Sequence, residues 1–162
     1  MGMAVVTRPV AGGSISVTPD GIFAPIAPMT PDYMTLPELE GFNWSECLAA
    51  VASGRWFMVT FRSIRKADAD DALLTEYDDR AFAEALGSSG LLCYFRGALD
   101  DQRRCLSFCL WERPEQARDA SLLPEHQLAA HLVRAFYESY VVRRYWLVKH
   151  QGVAAPELLP LA

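Results

Sequence analysis

From Arg55 onward the chain alternates between two hydrophobic periods. Trp56-Phe-Met-Val-Thr-Phe-Arg62, Leu91-Leu-Cys-Tyr-Phe-Arg96, Cys105-Leu-Ser-Phe-Cys-Leu-Trp111 and Tyr140-Val-Val-Arg-Arg-Tyr-Trp-Leu-Val148 are short runs rich in aromatic and β-branched residues. That is the pattern of strands. Between the first two, Leu73, Leu74, Tyr77, Phe82, Ala85 and Leu86 recur at helical spacing, which predicts a helix from about Asp70 to Leu86 ended by Gly87-Ser-Ser-Gly90. Between the last two, Pro114 opens a second helical stretch reaching about Tyr137, with Ala117, Ala120, Leu128, Leu132, Val133 and Phe136 as its inner stripe and a break expected at Pro124. The predicted order is β-α-β-β-α-β within about ninety residues.

The segment before Arg55 has another character. It holds six of the ten prolines (Pro9, Pro19, Pro25, Pro28, Pro31 and Pro37), which block long helices and central strands. It also carries Ile15, Val17, Ile22, Phe23, Ile26, Met29 and Tyr33, too apolar a set for a disordered tail. An extended arm is expected, with a short strand or hairpin at Ser14–Thr18 and Ile22-Phe23, packed on the domain or on a partner subunit. Asn43 to Ala52 reads as a short helix capped by Asn43 and ended by Gly54, with Trp44 as a docking aromatic. The organisation is thus residues 1–54 as arm and short helix, 55–150 as the α+β domain, and 151–162 as a tail that Pro156 and Pro160 make a surface strap.

Composition narrows the function classes. The 162 residues are 51% hydrophobic and 22% charged, suited to a single globular domain. No apolar run approaches the roughly 20 residues of a membrane helix, and the N-terminus lacks the charged head and apolar stretch of a secretory signal, so a cytoplasmic location is expected. A net charge of −5 argues against general nucleic-acid binding. Of Cys47, Cys93, Cys105 and Cys109, three lie in strand patterns, and four residues along a strand separate Cys105 from Cys109 by roughly 13 Å. Core thiols are expected rather than disulfides. The acids Asp68, Asp70, Asp71, Glu76, Asp78 and Asp79 lack calcium-loop spacing and suit the start of a helix, so no metal is predicted.

Alternation along the strands splits each into two faces. Taking the more polar set throughout assembles Trp56, Met58, Thr60, Arg62, Tyr94, Arg96, Ser107, Cys109 and Trp111, with Arg144 and Trp146 or Arg143 and Tyr145 from the last strand. Such a face is too aromatic for water and too polar for a dry core, which predicts a covered cavity. A second copy of the chain is the expected cover, giving a homodimer.

The βαββαβ order, together with Phe108-Cys-Leu-Trp-Glu-Arg-Pro-Glu-Gln-Ala117 and Leu122-Leu-Pro-Glu-His126, resembles the dimeric α+β barrel superfamily related to antibiotic-biosynthesis monooxygenases. The resemblance spans about Arg55 to His150 and leaves the arm outside. It implies an α+β, ferredoxin-like antiparallel sheet that pairs into a dimeric barrel. Its members include cofactor-free oxygenases, haem-degrading enzymes, small-molecule lyases or cyclases, and proteins without known role. The oxygenase branch implies a base, a cation for an enolate or phenolate, and apolar walls. Arg62 and Arg96 are the candidate cations and Tyr94 the candidate proton donor. Trp56, Met58, Thr60, Ser107, Cys109, Trp111 and Trp146 are the candidate substrate contacts, and no residue presents itself as the base. The haem branch would use His131, which closes Ala129-Ala130-His131, although Ala120 stands where those relatives carry an aromatic and the first strand has no matching asparagine. The leading expectation is a small-molecule binding or converting protein, in its enzymatic form a monooxygenase needing no cofactor and acting on an apolar or aromatic substrate. A non-catalytic dimeric binding or assembly protein is the alternative, and a haem-binding or haem-degrading role the second. Phosphate-cradling glycine loops, nucleophile elbows, H-E-x-x-H and dinucleotide fingerprints are absent from the sequence.

Overall fold

The computed structural model describes residues 5–161, so the first four residues of the arm and the last of the tail fall outside it. The strands are β1 (Val6–Val10), β2 (Gly13–Val17), β3 (Gly54–Arg65), β4 (Leu91–Gly97), β5 (Arg104–Trp111), β6 (Tyr137–Lys149) and β7 (Glu157–Pro160). The helices are α1 (Trp44–Cys47), α2 (Asp71–Ala85), α3 (Pro114–Ser121) and α4 (Pro124–Phe136). All seven strands form one antiparallel sheet in the order β1-β2-β4-β5-β3-β6-β7. Its centre, β4-β5-β3-β6, is the ferredoxin-like arrangement expected of β-α-β-β-α-β. Asp70 caps α2 by accepting a hydrogen bond from the Leu73 amide, and the second helical stretch parts at Leu122-Leu123 before Pro124. No helix among the described residues is long and apolar enough to cross a membrane.

The arm departs from expectation in its details. The strand around Ser14 pairs with Val6–Val10 rather than with Ile22-Phe23, turning at Ala11-Gly12 where Gly12 takes a φ of 79°. β2 then adds to β4, which extends the central sheet outward. Asn43 occupies the N-cap position of α1, but its side chain makes no capping hydrogen bond. Its side chain instead accepts from the Ala27 amide at 2.7 Å and donates to the Pro25 carbonyl at 3.1 Å, so it braces the arm. Gly54 opens β3 rather than closing a helix, and the tail adds β7 to the edge of β6.

From Thr18 to Ser53 the chain folds back over one face of the sheet. Phe23, Ile26, Tyr33, Phe42, Trp44 and Leu48 lie there against Met58, Phe95, Leu106, Phe108 and Leu110 in a continuous buried core. The Phe42 ring sits 5.0 Å from Phe95 and 5.1 Å from Phe108, edge to face. Polar ties fasten the layer: Arg8 donates to the carbonyls of Ala24 and Ile26 at 2.7 Å each, Tyr33 to Gly12 at 2.6 Å, and Trp44 Nε1 to Glu38 at 2.9 Å. The cover that the sequence pattern assigned to a second copy is therefore supplied on this face by the chain itself.

Because Trp44 fills the centre of that layer, Trp44→Ala is expected to destabilise the fold by about 3–5 kcal/mol in urea unfolding. Leu128→Ala, on an exposed surface of α4, should cost no more than about 0.5 kcal/mol. Equal costs would contradict a core built on the arm.

Candidate functional site

The opposite face of the sheet is hollow. α2 packs on α4, and together with α3 they roof a cavity of about 830 Å³ over β3, β4, β5 and β6. That volume lies within the range of pockets that enclose drug-sized molecules. Register decides which side chains face it, since directly opposed residues of antiparallel neighbours share a face. Phe57 stands opposite Trp111 and Trp146, Val59 opposite Cys109 and Arg144, and Phe61 opposite Ser107 and Val142. Tyr94 stands opposite Cys109.

Of the expected site residues, Tyr94, Arg96, Ser107, Cys109 and Trp111 line this cavity. Trp146 shares their face but packs against Phe57 at 5.9 Å beneath the Arg55 guanidinium, outside the cavity wall. Trp56, Met58, Thr60 and Arg62 lie on the other face, under the arm. The physical reason is that both faces of β3 are covered, so polarity could not tell them apart, and the register turns Phe57, Val59 and Phe61 into the cavity. Arg62 is consumed in holding the arm: Nε donates to Glu38 Oε1 at 3.2 Å, Nη1 to the Met34 carbonyl at 2.7 Å, and Nη2 to the Leu36 carbonyl. His131 is exposed, in a shallow depression with Gln127, Ala130 and Arg134, and is not part of the cavity wall. An iron bound there would stand outside the cavity.

Three side chains meet where α2 crosses β4. Tyr94 donates its phenolic proton to Asp78, 3.1 Å from both carboxylate oxygens. Arg96 Nε lies 2.6 Å from Asp78 Oδ2, an ion pair whose N–H is not aimed at the oxygen, while Nη1 donates to Asp79 Oδ1 at 2.6 Å. The Asp78 side chain keeps 43% of its accessible surface, and that surface belongs to the cavity wall. Burial pushes its carboxyl up, opposed by Arg96 and by the Tyr94 hydrogen bond. Burial and the neighbouring carboxylate hold the Tyr94 phenol well above its ordinary range, so it stays a proton donor. Phe82 stacks on Tyr94 at 5.1 Å. Burial also pushes the Cys109 thiol up to about 11 and raises Cys105, which leaves both as poor nucleophiles.

Sequence reasoning read Asp78 as one of the acids that suit the start of a helix and His126 as a helix-surface residue, and the structure places both in the cavity wall. His126 lines the cavity from the first turn of α4, and burial depresses its pKa against the opposing pull of Asp78 and Glu84. Its ring makes no hydrogen bond among the described residues, so a neutral imidazole presents a free lone pair. Helical spacing carried the signal in both cases. His126, Ala129, Ala130 and Val133 share one face of α4, as Leu74, Asp78, Ala81, Phe82 and Ala85 share one of α2.

The PB2B2.08-like family profile matches residues 22–159, most of the chain. The chain belongs to the PB2B2.08-like family. No curated protein matches it significantly. Among solved structures, the PB2B2.08-like chain is similar to a provisionally named monooxygenase from Lactobacillus acidophilus NCFM, with a TM-score of 0.51 and 12% identity over 64% of this chain. The chain spans 50% of that protein's length. It is also similar to Rv0793 from Mycobacterium tuberculosis (TM-score 0.49, 16% identity, covering 55% of this chain and 91% of the other). A third is SnoaB, a cofactor-independent oxygenase from Streptomyces nogalater (TM-score 0.45, 14% identity, 61% and 96%). The first of these carries the fold alone: the chain shares with that protein an α+β, ferredoxin-like antiparallel sheet.

The depressed His126 pKa has a sign that can be checked. Above pH 6.5 the ring is neutral folded or unfolded. As pH falls through that value the unfolded chain takes up a proton more readily, so folding stability declines. His126→Gln should remove that component, and the stability difference between wild type and variant in urea titrations should change between pH 7 and pH 5. A constant difference would place the ring in ordinary solvent.

Proposed function

We propose that this PB2B2.08-like protein binds and converts a small apolar or aromatic molecule in the cavity between helices and sheet, acting as a monooxygenase that needs no cofactor. The observation that carries the reading is the placing of His126: an imidazole whose pKa burial lowers, without a hydrogen-bond partner among the described residues, facing a half-open and largely apolar cavity. In this reading His126 removes a proton from an activated CH₂ of the substrate, and the carbanion supplies electrons to dioxygen. The overall balance is R₂CH₂ + O₂ → R₂C=O + H₂O, in which the substrate gives up all four electrons and one oxygen atom leaves as water. Tyr94, whose phenol stays protonated, returns a proton to the oxygen intermediate, and Arg96 holds Asp78 and Tyr94 in place with its charge turned to the same corner. Phe57, Phe61, Phe82 and Trp111 supply faces for a ring.

The free thiols of all four cysteines are in keeping with a cytoplasmic protein. A homodimer of this chain would use a surface other than the arm-covered face. The half of β6 from Tyr137 to Arg143 has no strand on its outer side among the described residues and is an open edge of the sheet, as is β1 at the other end.

The test is oxygen uptake with an anthrone as probe, a ring system with an acidic CH₂. His126→Gln should lower the catalysed rate by about 10²-fold or more, with probe binding changed less than about threefold. A wild-type rate no faster than oxidation in buffer, or an unchanged rate in the variant, refutes the reading.

A further inference from the structure

The charges of the cavity are unevenly satisfied. In its interior the arginines are matched: Arg65 with Asp71 at 3.1 Å, Arg96 with Asp78 and Asp79 at 2.6 Å each. At its rim, among the described residues, the matching is weaker. Arg144 stands on the cavity face of β6 opposite Val59, lines the cavity and is exposed, and no carboxylate among the described residues lies within ion-pair distance of it. Arg118 of α3 lines the same cavity, and its one acidic neighbour is the adjoining Asp119 at 3.9 Å, with both side chains about three-quarters exposed (73% and 72%). Glu115, one turn back on α3, also lines the cavity, and among the described residues it is within ion-pair distance of neither arginine. The exposed lining residues Val142 and Leu161 lie beside Arg144, on its own strand and hydrogen-bonded to it through the Leu161 amide. The cavity therefore opens beside Arg144, which has no carboxylate partner among the described residues, and Arg118, whose pair with Asp119 is long and exposed, and it leads into apolar walls.

Resting on the proposed cavity function, we infer that the ligand is an amphipathic carboxylic acid, an aromatic or apolar body whose carboxylate is held at the rim by Arg144 and Arg118. A guanidinium fork matches a planar carboxylate, and exposed arginines at the mouth of an apolar cavity can hold the charged end of a ligand in water while its body is buried. β3 and β5 separate β6 from β4, so three strand spacings, roughly 14 Å, lie between the Arg144 and Tyr94 positions. An acid of that length reaches from the rim to the Tyr94–Asp78 corner. Its carboxylate end takes no part in the chemistry.

Dansylglycine and dansylamide carry the same fluorophore with and without a carboxylate, and fluorescence titration gives both affinities. The wild-type protein should bind dansylglycine about tenfold or more tightly than dansylamide. The double variant Arg118→Gln/Arg144→Gln should lose that preference while its affinity for dansylamide stays within about twofold, which also shows the cavity intact. Equal affinities in the wild type, or a preference that survives the double substitution, overturns the inference and leaves the cavity reading standing. Binding of neither probe by the wild type overturns both.

Discussion

Everything in this molecule depends on the burial of one sheet face beneath the chain's own segment before β3. A sheet with apolar side chains on both faces must be covered twice. Here the two covers are unlike. The proline-rich segment is irregular and can follow the contours of Phe95, Phe108 and Leu110 closely, so it yields the continuous dry core. Helices are stiff cylinders, and these three stand off the sheet, with a smaller buried cluster around Phe57, Val59, Trp111 and Ala120. The dense side supplies the stability that lets the other side remain hollow.

The order of strands and helices was legible because the hydrophobic period changes at each boundary, and Pro114 and Pro124 mark helix starts by plain stereochemistry. The assignment of faces was legible only where one side of a strand was clearly more polar. β5 split into the right two faces because Leu106, Phe108 and Leu110 contrast with Cys105, Ser107 and Cys109, yet the apolar face lies under the arm and the more polar one under the helices, the reverse of what apolar character suggests. β3 did not, because Trp56, Met58 and Thr60 differ little in character from Phe57, Val59 and Phe61. A single long-range fact, Phe57 opposite Trp111, would have corrected all four residues at once. The role of Arg62 was hidden for a related reason: its partners are the backbone carbonyls of Met34 and Leu36, which leave no trace in composition.

Three polar groups of the cavity are occupied with one another, and a fourth, His126, makes no hydrogen bond among the described residues. Asp78, Tyr94 and Arg96 form a corner whose charges cancel and whose hydrogen bonds are largely internal. This corner also bolts α2 to β4 across the hollow. His126 faces the same space from α4 with nothing to hold. Placing one satisfied and one unsatisfied group in a common enclosure gives the site a fixed reference point and a free reactive one.

The stand-off of the helices also divides the molecule mechanically. α2 leans chiefly on α4, no side chain of α4 is buried, and on α2 only Leu74 and Ala81 are. The helical layer is thus the less stable of the two covers, and the first to open locally once the ties of Asp78 and Asp71 to the sheet give way. Amide protons of α2 and α4 would exchange with solvent through such partial openings, whereas those of β3 and β5 would wait for the whole domain to unfold. A guest larger than the resting entrance would enter by borrowing that motion, without loosening the core that keeps the chain folded.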